Sequence, residues 1–239
     1  MKNIVVVVIA LCCTYPVCQA RDFPRQNGSV VQSHPYWSSL KHEAPEQDRI
    51  FFDDMEKKRL WPGDIVFRLS YGFESFMAEQ LDGRWSHIGI IDISDDGAIY
   101  VIHSHGADNT HSFSGVQREQ FSQYLRESRE IKVMRFAASP DEGRQIAHRA
   151  ASLIGKKFDT EFSLNNDKYY CSEVVLYTKP ELFSRYTRTV NPRSLTSVAQ
   201  LSQANWPEQL EVFSNSDAER AISDAGGRVI IWKKIKAAN

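Results

Sequence analysis

Positive charge is not in excess in this chain. Its 29 Lys and Arg stand against 30 Asp and Glu, for a formal net charge of −1. A nucleic-acid partner calls for a basic excess, so that class is disfavoured. No apolar run approaches the roughly 18–20 residues of a membrane-spanning helix. Internal repeats and low-complexity tracts are missing, which excludes solenoids and biased tails. Cysteine is scarce: Cys12, Cys13, Cys18 and Cys171 are the four in 239 residues. No close CxxC or HxxxH pair marks a metal site, and His103-Ser104-His105 alone is a weak zinc signal even with His87 and Cys171 added. No metal and no cofactor is expected.

The first twenty residues reduce the cysteine count further. Lys2 supplies a positive start, Ile4 to Cys13 an apolar run, and Cys18-Gln19-Ala20 a small-residue end. The pattern reads as a secretory signal peptide over 1–20, which places the protein in the periplasm or outside the cell. A lipid anchor on Cys18 is disfavoured, because Val17 stands where a small residue is needed. Cleavage removes three cysteines and leaves Cys171 alone, with no disulfide partner. Such a thiol is either buried and inert or chemically used. Its setting, Tyr169-Tyr170-Cys171-Ser172-Glu173, is polar and aromatic, which favours use.

What is present is ample for one domain with extensions: 42% apolar residues and thirteen Phe. Residues 21–60 read as a polar N-terminal extension with a helix around 46–58, and 61–239 as the domain. Trp61-Pro62-Gly63-Asp64 is a turn, Ile65–Leu69 a strand, and 71–80 a short helix. Trp85–Asp92 and Ala98–Ser104 are the clearest strands, joined by a Ser94–Gly97 hairpin turn. A helix is expected at 117–126 and a strand at 130–136. A further helix spans 141–154, with Ile146, Ala147, Ala150, Leu153 and Ile154 inward. A short extended segment covers 157–162, and a helix opens at Cys171 and stops before Pro180. A helix at 194–202 and a strand at 228–235 complete the order. Strands around a central hairpin, then helices, then one strand make an α+β fold.

The hairpin carries chemistry. If residue 88 faces 102 and 90 faces 100, then Ile88, Ile90, Tyr100 and Ile102 share one apolar face. That register sets His87 directly opposite His103 on the other face, with Gly89 keeping the space open and His105 pointing the same way. A thiol nucleophile needs a base, and the base needs a polar group to orient it. His87 suits the first role and His103 the second. A helix N-terminus at Cys171 lowers the thiol pKa and offers N–H groups to an oxyanion. His34, His42, His111 and His148 read as surface or structural.

Several segments together carry a resemblance. Gly63–Arg68, Ser86–Ile91, Val101–Ser104, Phe158-Asp159 and Tyr170–Val175 resemble the ordered motifs of the permuted NlpC-like cysteine hydrolases, the YiiX/YebB-like papain-fold group, over about residues 60–200. The resemblance implies a papain-like, circularly permuted α+β fold, a small antiparallel sheet packed against helices. It implies Cys171 as nucleophile, His87 as base and His103 in the third polar position, where many members have Glu. Tyr170 falls where an oxyanion or substrate contact is expected. The implied activity is an exported thiol hydrolase cleaving an amide through a thioester, in peptidoglycan stem peptides or another envelope peptide. A lipid acyl-ester hydrolase or acyltransferase, with peripheral membrane contact, is the alternative, and a non-catalytic envelope-binding module the third reading.

Overall fold

The computed structural model describes residue 46 and residues 49–70, 84–106, 113–164, 166–191 and 209–235. The expected signal peptide and the helices at 71–80 and 194–202 lie outside the described residues. Among those described, a four-residue helix α1 (Asp54–Lys57) leads into strand β1 (Ile65–Ser70). Strands β2 (His87–Ile93), β3 (Ile99–His105) and β4 (Gly115–Gln120) follow, then helix α2 (Phe121–Arg126), strand β5 (Ser128–Arg135) and helix α3 (Pro140–Ala151). Two-residue strands β6 (Lys157–Phe158) and β7 (Lys168–Tyr169) precede helix α4 (Cys171–Thr178) and the short α5 (Pro180–Phe183). The chain closes with β8 (Arg188–Val190), β9 (Leu210–Val212), α6 (Asn215–Asp224) and β10 (Arg228–Lys234).

Eight strands form one sheet in the order β10-β5-β1-β2-β3-β4-β6-β7, and β8 and β9 pair separately. Every pairing is antiparallel except β6 with β7. Alternation along the strands sorts side chains to two covered faces. On one face Ile65, Phe67, Ile88, Ile90 and Ile102 pack with Ile146, Ala150, Val174, Val175 and Ile222 from α3, α4 and α6. On the other, Val66, Ile91, Val101, Ile131 and Val133 pack with Phe52, Leu60 and the α2 residues Phe121, Tyr124 and Leu125. Burial on both faces explains why the central strands read as nearly continuous apolar runs.

Three expectations need correction. The helix expected over 46–58 is realised as Asp54–Lys57, started by Asp53, which accepts the Glu56 N–H at 2.8 Å. Residues 117–120 are strand, because they complete a ladder with β3 from Tyr100↔Gln120 to His105↔Gly115; only Phe121–Arg126 is helical. Ile154 is 45% exposed, since α3 ends at Ala151 and the chain turns outward, while Ile146, Ala147, Ala150 and Leu153 are buried as expected.

The Gly63-Asp64 pair is a structural corner. Gly63 has φ +81°, and a Cβ there would lie 2.3 Å from the carbonyl of Gly143 at the start of α3. Asp64 is buried and takes both Nε–H and an Nη–H of Arg135, at 2.6 and 2.7 Å, as well as the Trp61 N–H at 2.8 Å. The Arg135 guanidinium lies over the Trp61 ring at 3.7 Å.

Candidate active site

The hairpin register differs from the expected one by two residues. Ile90 pairs with Ile102 and Ile93 with Ile99, which displaces His87 from a position directly across from His103. A two-residue slip preserves the faces, so Ile88, Ile90 and Ile102 still point to the helices and His87 and His103 away from them. Below Ile90↔Ile102 the β2–β3 ladder has no further rung among the described residues. There β2 is tied outward to β1 through Arg68↔His87, and β3 to β4 through His103↔Gln117. Gly89 fills this opening: a Cβ on it would sit 2.4 Å from the Val101 side chain and 3.2 Å from that of His103.

The two imidazoles meet diagonally. Nε2 of His87 and Nδ1 of His103 are 2.7 Å apart, within a hydrogen bond, and the rings stand nearly perpendicular. His103 is 1% exposed. Its Nε2 is 3.3 Å from a carboxylate oxygen of Glu119 on β4, at ion-pair distance but not aligned as a hydrogen bond. The His105 ring is 5.8 Å from that of His87. Tyr124 of α2 stands against both His87 and His103, and the fully buried Arg68 stacks on its ring at 4.4 Å. Burial pushes His103 down to about 4; Glu119 pulls it up, and Arg68 and His105 push it further down. His103 is therefore neutral near pH 7. The Tyr124 hydroxyl is buried with no hydrogen-bond partner among the described residues. Burial raises its pKa, with charge on Cys171 contributing in the same direction.

Cys171 is the first residue of α4, which packs on β2 and β3 from the helix side of the sheet. Its two neighbours fix it. The Tyr170 hydroxyl accepts the backbone N–H of Phe213 at 3.0 Å, and the Ser172 hydroxyl donates to the Phe213 carbonyl at 2.5 Å. The residue before them, Tyr169, accepts a hydrogen bond from Ser104 of β3 through its carbonyl. Tyr170 is 4% exposed and packs on Phe162, so its hydroxyl serves the anchorage of the cysteine. At the third position of the helix, Glu173 accepts the Tyr170 N–H at 3.0 Å. Burial raises its carboxyl to about 8, the accepted N–H opposes this, and Asp159 adds to the rise. Asp159 itself is buried and accepts the N–H groups of Glu161 and Ser163 at 2.8 and 2.6 Å, shaping the loop before the cysteine.

Asn215, the first residue of α6, links the two halves. Its Nδ2 donates to the Trp85 carbonyl at 3.1 Å, and its Oδ1 lies 3.6 Å from Cys171 Sγ, placed to accept the thiol proton. Trp85 is two residues before His87, so the thiol and the histidine strand are joined through one amide. Residues 203–227 carry no chemical motif in the sequence. The visible signal there was Ser214 with Asp217 three residues on, a helix-start pattern, and Ser214 does accept the Asp217 N–H at 3.1 Å.

A cysteine opening a helix beside a paired-histidine strand, in this strand order, is the arrangement of a papain-like hydrolase with its segments reordered. The family described as "Permuted papain-like amidase enzyme, YaeF/YiiX, C92 family" matches residues 59–206. The chain belongs to that family. It is accordingly an enzyme of the cysteine-amidase type with a permuted papain-like fold. The matched span holds His87, His103, Glu119 and Cys171, while Phe213 and Asn215 lie beyond it. Among solved structures, the metalloprotein YiiX of Escherichia coli O157:H7 (DUF1105) is 21% identical, with a TM-score of 0.58 over 74% of this chain and 99% of that one. At that identity the likeness speaks for the fold alone. No curated protein matches the chain. The word metalloprotein belongs to that relative. Here, among the described residues, no group of three or more His, Cys, Asp or Glu is placed to hold an ion. His87 and His103 point ring nitrogens at one another rather than at a common centre, so a metal does not fit between them.

Proposed function

We propose that this C92-family amidase is an exported enzyme that cleaves envelope peptide amides through a thioester on Cys171, with His87 as base and His103 orienting it. The observation that carries the reading is the 2.7 Å contact of His87 Nε2 with His103 Nδ1, on the strand whose lead-in residue Trp85 is joined through Asn215 to Cys171 Sγ. With Nε2 engaged by His103, this reading gives the thiol proton to Nδ1 of His87. His87 takes the Cys171 proton, the thiolate attacks the amide carbonyl, and the imidazolium returns the proton to the leaving amine. Water then hydrolyses the thioester with His87 again as base. N–H groups at the start of α4 stabilise the oxyanion.

A groove of about 540 Å³ runs along the outer side of α4, lined by Tyr169, Glu173, Leu176 and Tyr177 with Arg149 and Glu181. Its lining includes none of Cys171, His87 and His103, so the groove flanks the thiol rather than holding the scissile amide; the peptidoglycan stem peptide is proposed from the amidase family. Export rests on the signal-like residues 1–20.

The test is incubation of the purified protein with peptidoglycan sacculi and, separately, with phospholipid vesicles. Release of stem-peptide fragments that disappears in Cys171→Ser is the expected result. Free fatty acid with no peptide released would move the substrate to a lipid ester. Mass spectrometry of the mature protein from the envelope fraction should find its N-terminus near residue 21; an intact Met1 there rejects cleavage.

A further inference from the structure

We propose that Glu119 is a positioning residue of this site, holding His103 in the one tautomer that makes His87 a base toward Cys171. The inference rests on the function proposed above and adds a fourth member, supplied by a different strand. His103 faces a group at each ring nitrogen: His87 Nε2 at 2.7 Å from Nδ1, and the negative Glu119 carboxylate at 3.3 Å from Nε2, near enough to favour a proton there although not aligned as a hydrogen bond. A neutral imidazole has one N–H to place, and an ionised carboxylate only accepts. The proton therefore belongs on Nε2, facing Glu119. Nδ1 then presents its lone pair, and His87 must donate Nε2–H to it. That leaves the lone pair of His87 on Nδ1, where a thiol proton can be taken. In the opposite tautomer His103 donates from Nδ1, His87 carries its proton on Nδ1, and the base is lost.

Glu119 is free to act this way because its neighbour is engaged elsewhere. Arg118 points to the opposite face, where its Nε donates to Asp92 at 2.6 Å and its guanidinium covers the Tyr100 ring at 3.5 Å. Glu119 reaches His103 diagonally, since its direct ladder partner is Val101 and that of His103 is Gln117. The other groups facing His103 are His87 on β2, His105 on β3, Arg68 on β1 with its partner Glu127, and Tyr124 on α2. Of these, Arg68 opposes protonation of His103, and Glu127 pairs with Arg68 at 3.2 Å. Glu119 supplies the negative charge that a His in the third position does not bring.

The test is the rate at which iodoacetamide alkylates Cys171 in the full chain, measured from pH 4 to 10. Wild type should show a neutral-pH plateau from the thiolate–imidazolium pair, and His87→Ala should lose it. Glu119→Gln should lower that plateau by roughly tenfold or more, as a wrong tautomer does, while leaving the alkaline limb in place. Glu119→Asp should restore part of it, and Asp92→Asn, which frees Arg118 on the same strand, should change nothing. A Glu119→Gln profile that overlays wild type, with the plateau still lost in His87→Ala, overturns the role of Glu119 alone. A His87→Ala profile that overlays wild type overturns the reading beneath it. Should Glu119→Gln not fold, nitrogen NMR of histidine-labelled wild type decides: Nε2–H and bare Nδ1 on His103 are expected, and the reverse refutes the proposal.

Discussion

Strand β1 carries two buried charged clusters, one at each end, and they are built differently. At the start, Asp64 and Arg135 meet through two hydrogen bonds, with the Trp61 N–H and the Trp61 ring completing the set. At the far end, Arg68 donates to the Tyr124 carbonyl at 3.2 Å, stacks on the Tyr124 ring and meets Glu127 at 3.2 Å, beside the His87–His103 pair and the buried Tyr124 hydroxyl, which has no hydrogen-bond partner among the described residues. A bidentate, enclosed pair has one geometry, which suits a corner. Here the two imidazoles and the unmatched phenol hydroxyl leave protons with more than one possible seat. Unsatisfied buried polar groups demand an explanation, and catalysis is one. The difference teaches that burial alone does not mark a site; the completeness of hydrogen bonding does.

The comparison can be broken most sharply at His87. His87→Gln should reduce amide hydrolysis by roughly 10²- to 10⁴-fold with a melting temperature close to wild type; equal losses in both would erase the distinction. Asp64→Ala should do the opposite, leaving Arg135 buried without its counter-charge and costing about 3–5 kcal/mol in urea unfolding, with kcat per folded molecule unchanged. Glu173 tests the helix start between them. Its folded pKa of about 8 lies above the ordinary 4.5, so the folded state holds a proton that the unfolded state releases. Stability is full below about pH 4.5 and is lost as pH rises through 8. Glu173→Gln should match wild type at pH 4 and exceed it at pH 9 by on the order of 2–4 kcal/mol, read by thermal melts; a gain at pH 4 as well would point to another cause. The smallest effect belongs to Asn215→Ala. Loss of its link between Cys171 and Trp85 should cost about 1 kcal/mol, seen as a several-fold drop in Cys171 alkylation at neutral pH.

Much of this was legible in the residues because apolar alternation is a strong signal. It separated the Ile88/Ile90/Ile102 face from the His87/His103 face and located β1, β5 and β10 within a residue or two. The start of α4 at Cys171 and its end before Pro180 followed from local chemistry. Alternation has period two, so it could not separate a register from one shifted by two; the Ser94–Ala98 turn decides that. Gln117, Arg118, Glu119 and Gln120 carry no apolar signal at all. They are strand because β3 offers them a ladder, and so Glu119 was read as part of a helix. Asn215 is one polar residue in a polar stretch, and only the closure of α6 against Trp85 gives it a role. The motif residues Tyr170 and Ser172 were visible, but their shared partner Phe213 was not, since it lies 41 residues beyond Ser172.

That clamp on Phe213 has a consequence for the order of events during synthesis. Chains emerge N-terminus first and fold largely in that order. His87, His103 and Glu119 can take their places in the growing sheet well before residue 213 exists. Cys171 then waits, on a helix start whose Tyr170 and Ser172 have nothing to grip. The thiol acquires its setting only when Phe213 and Asn215 arrive and α6 settles against Trp85. On the proposed mechanism, the sulfur therefore depends for its placement on Phe213 and Asn215, contacts a chain broken off before residue 213 does not have.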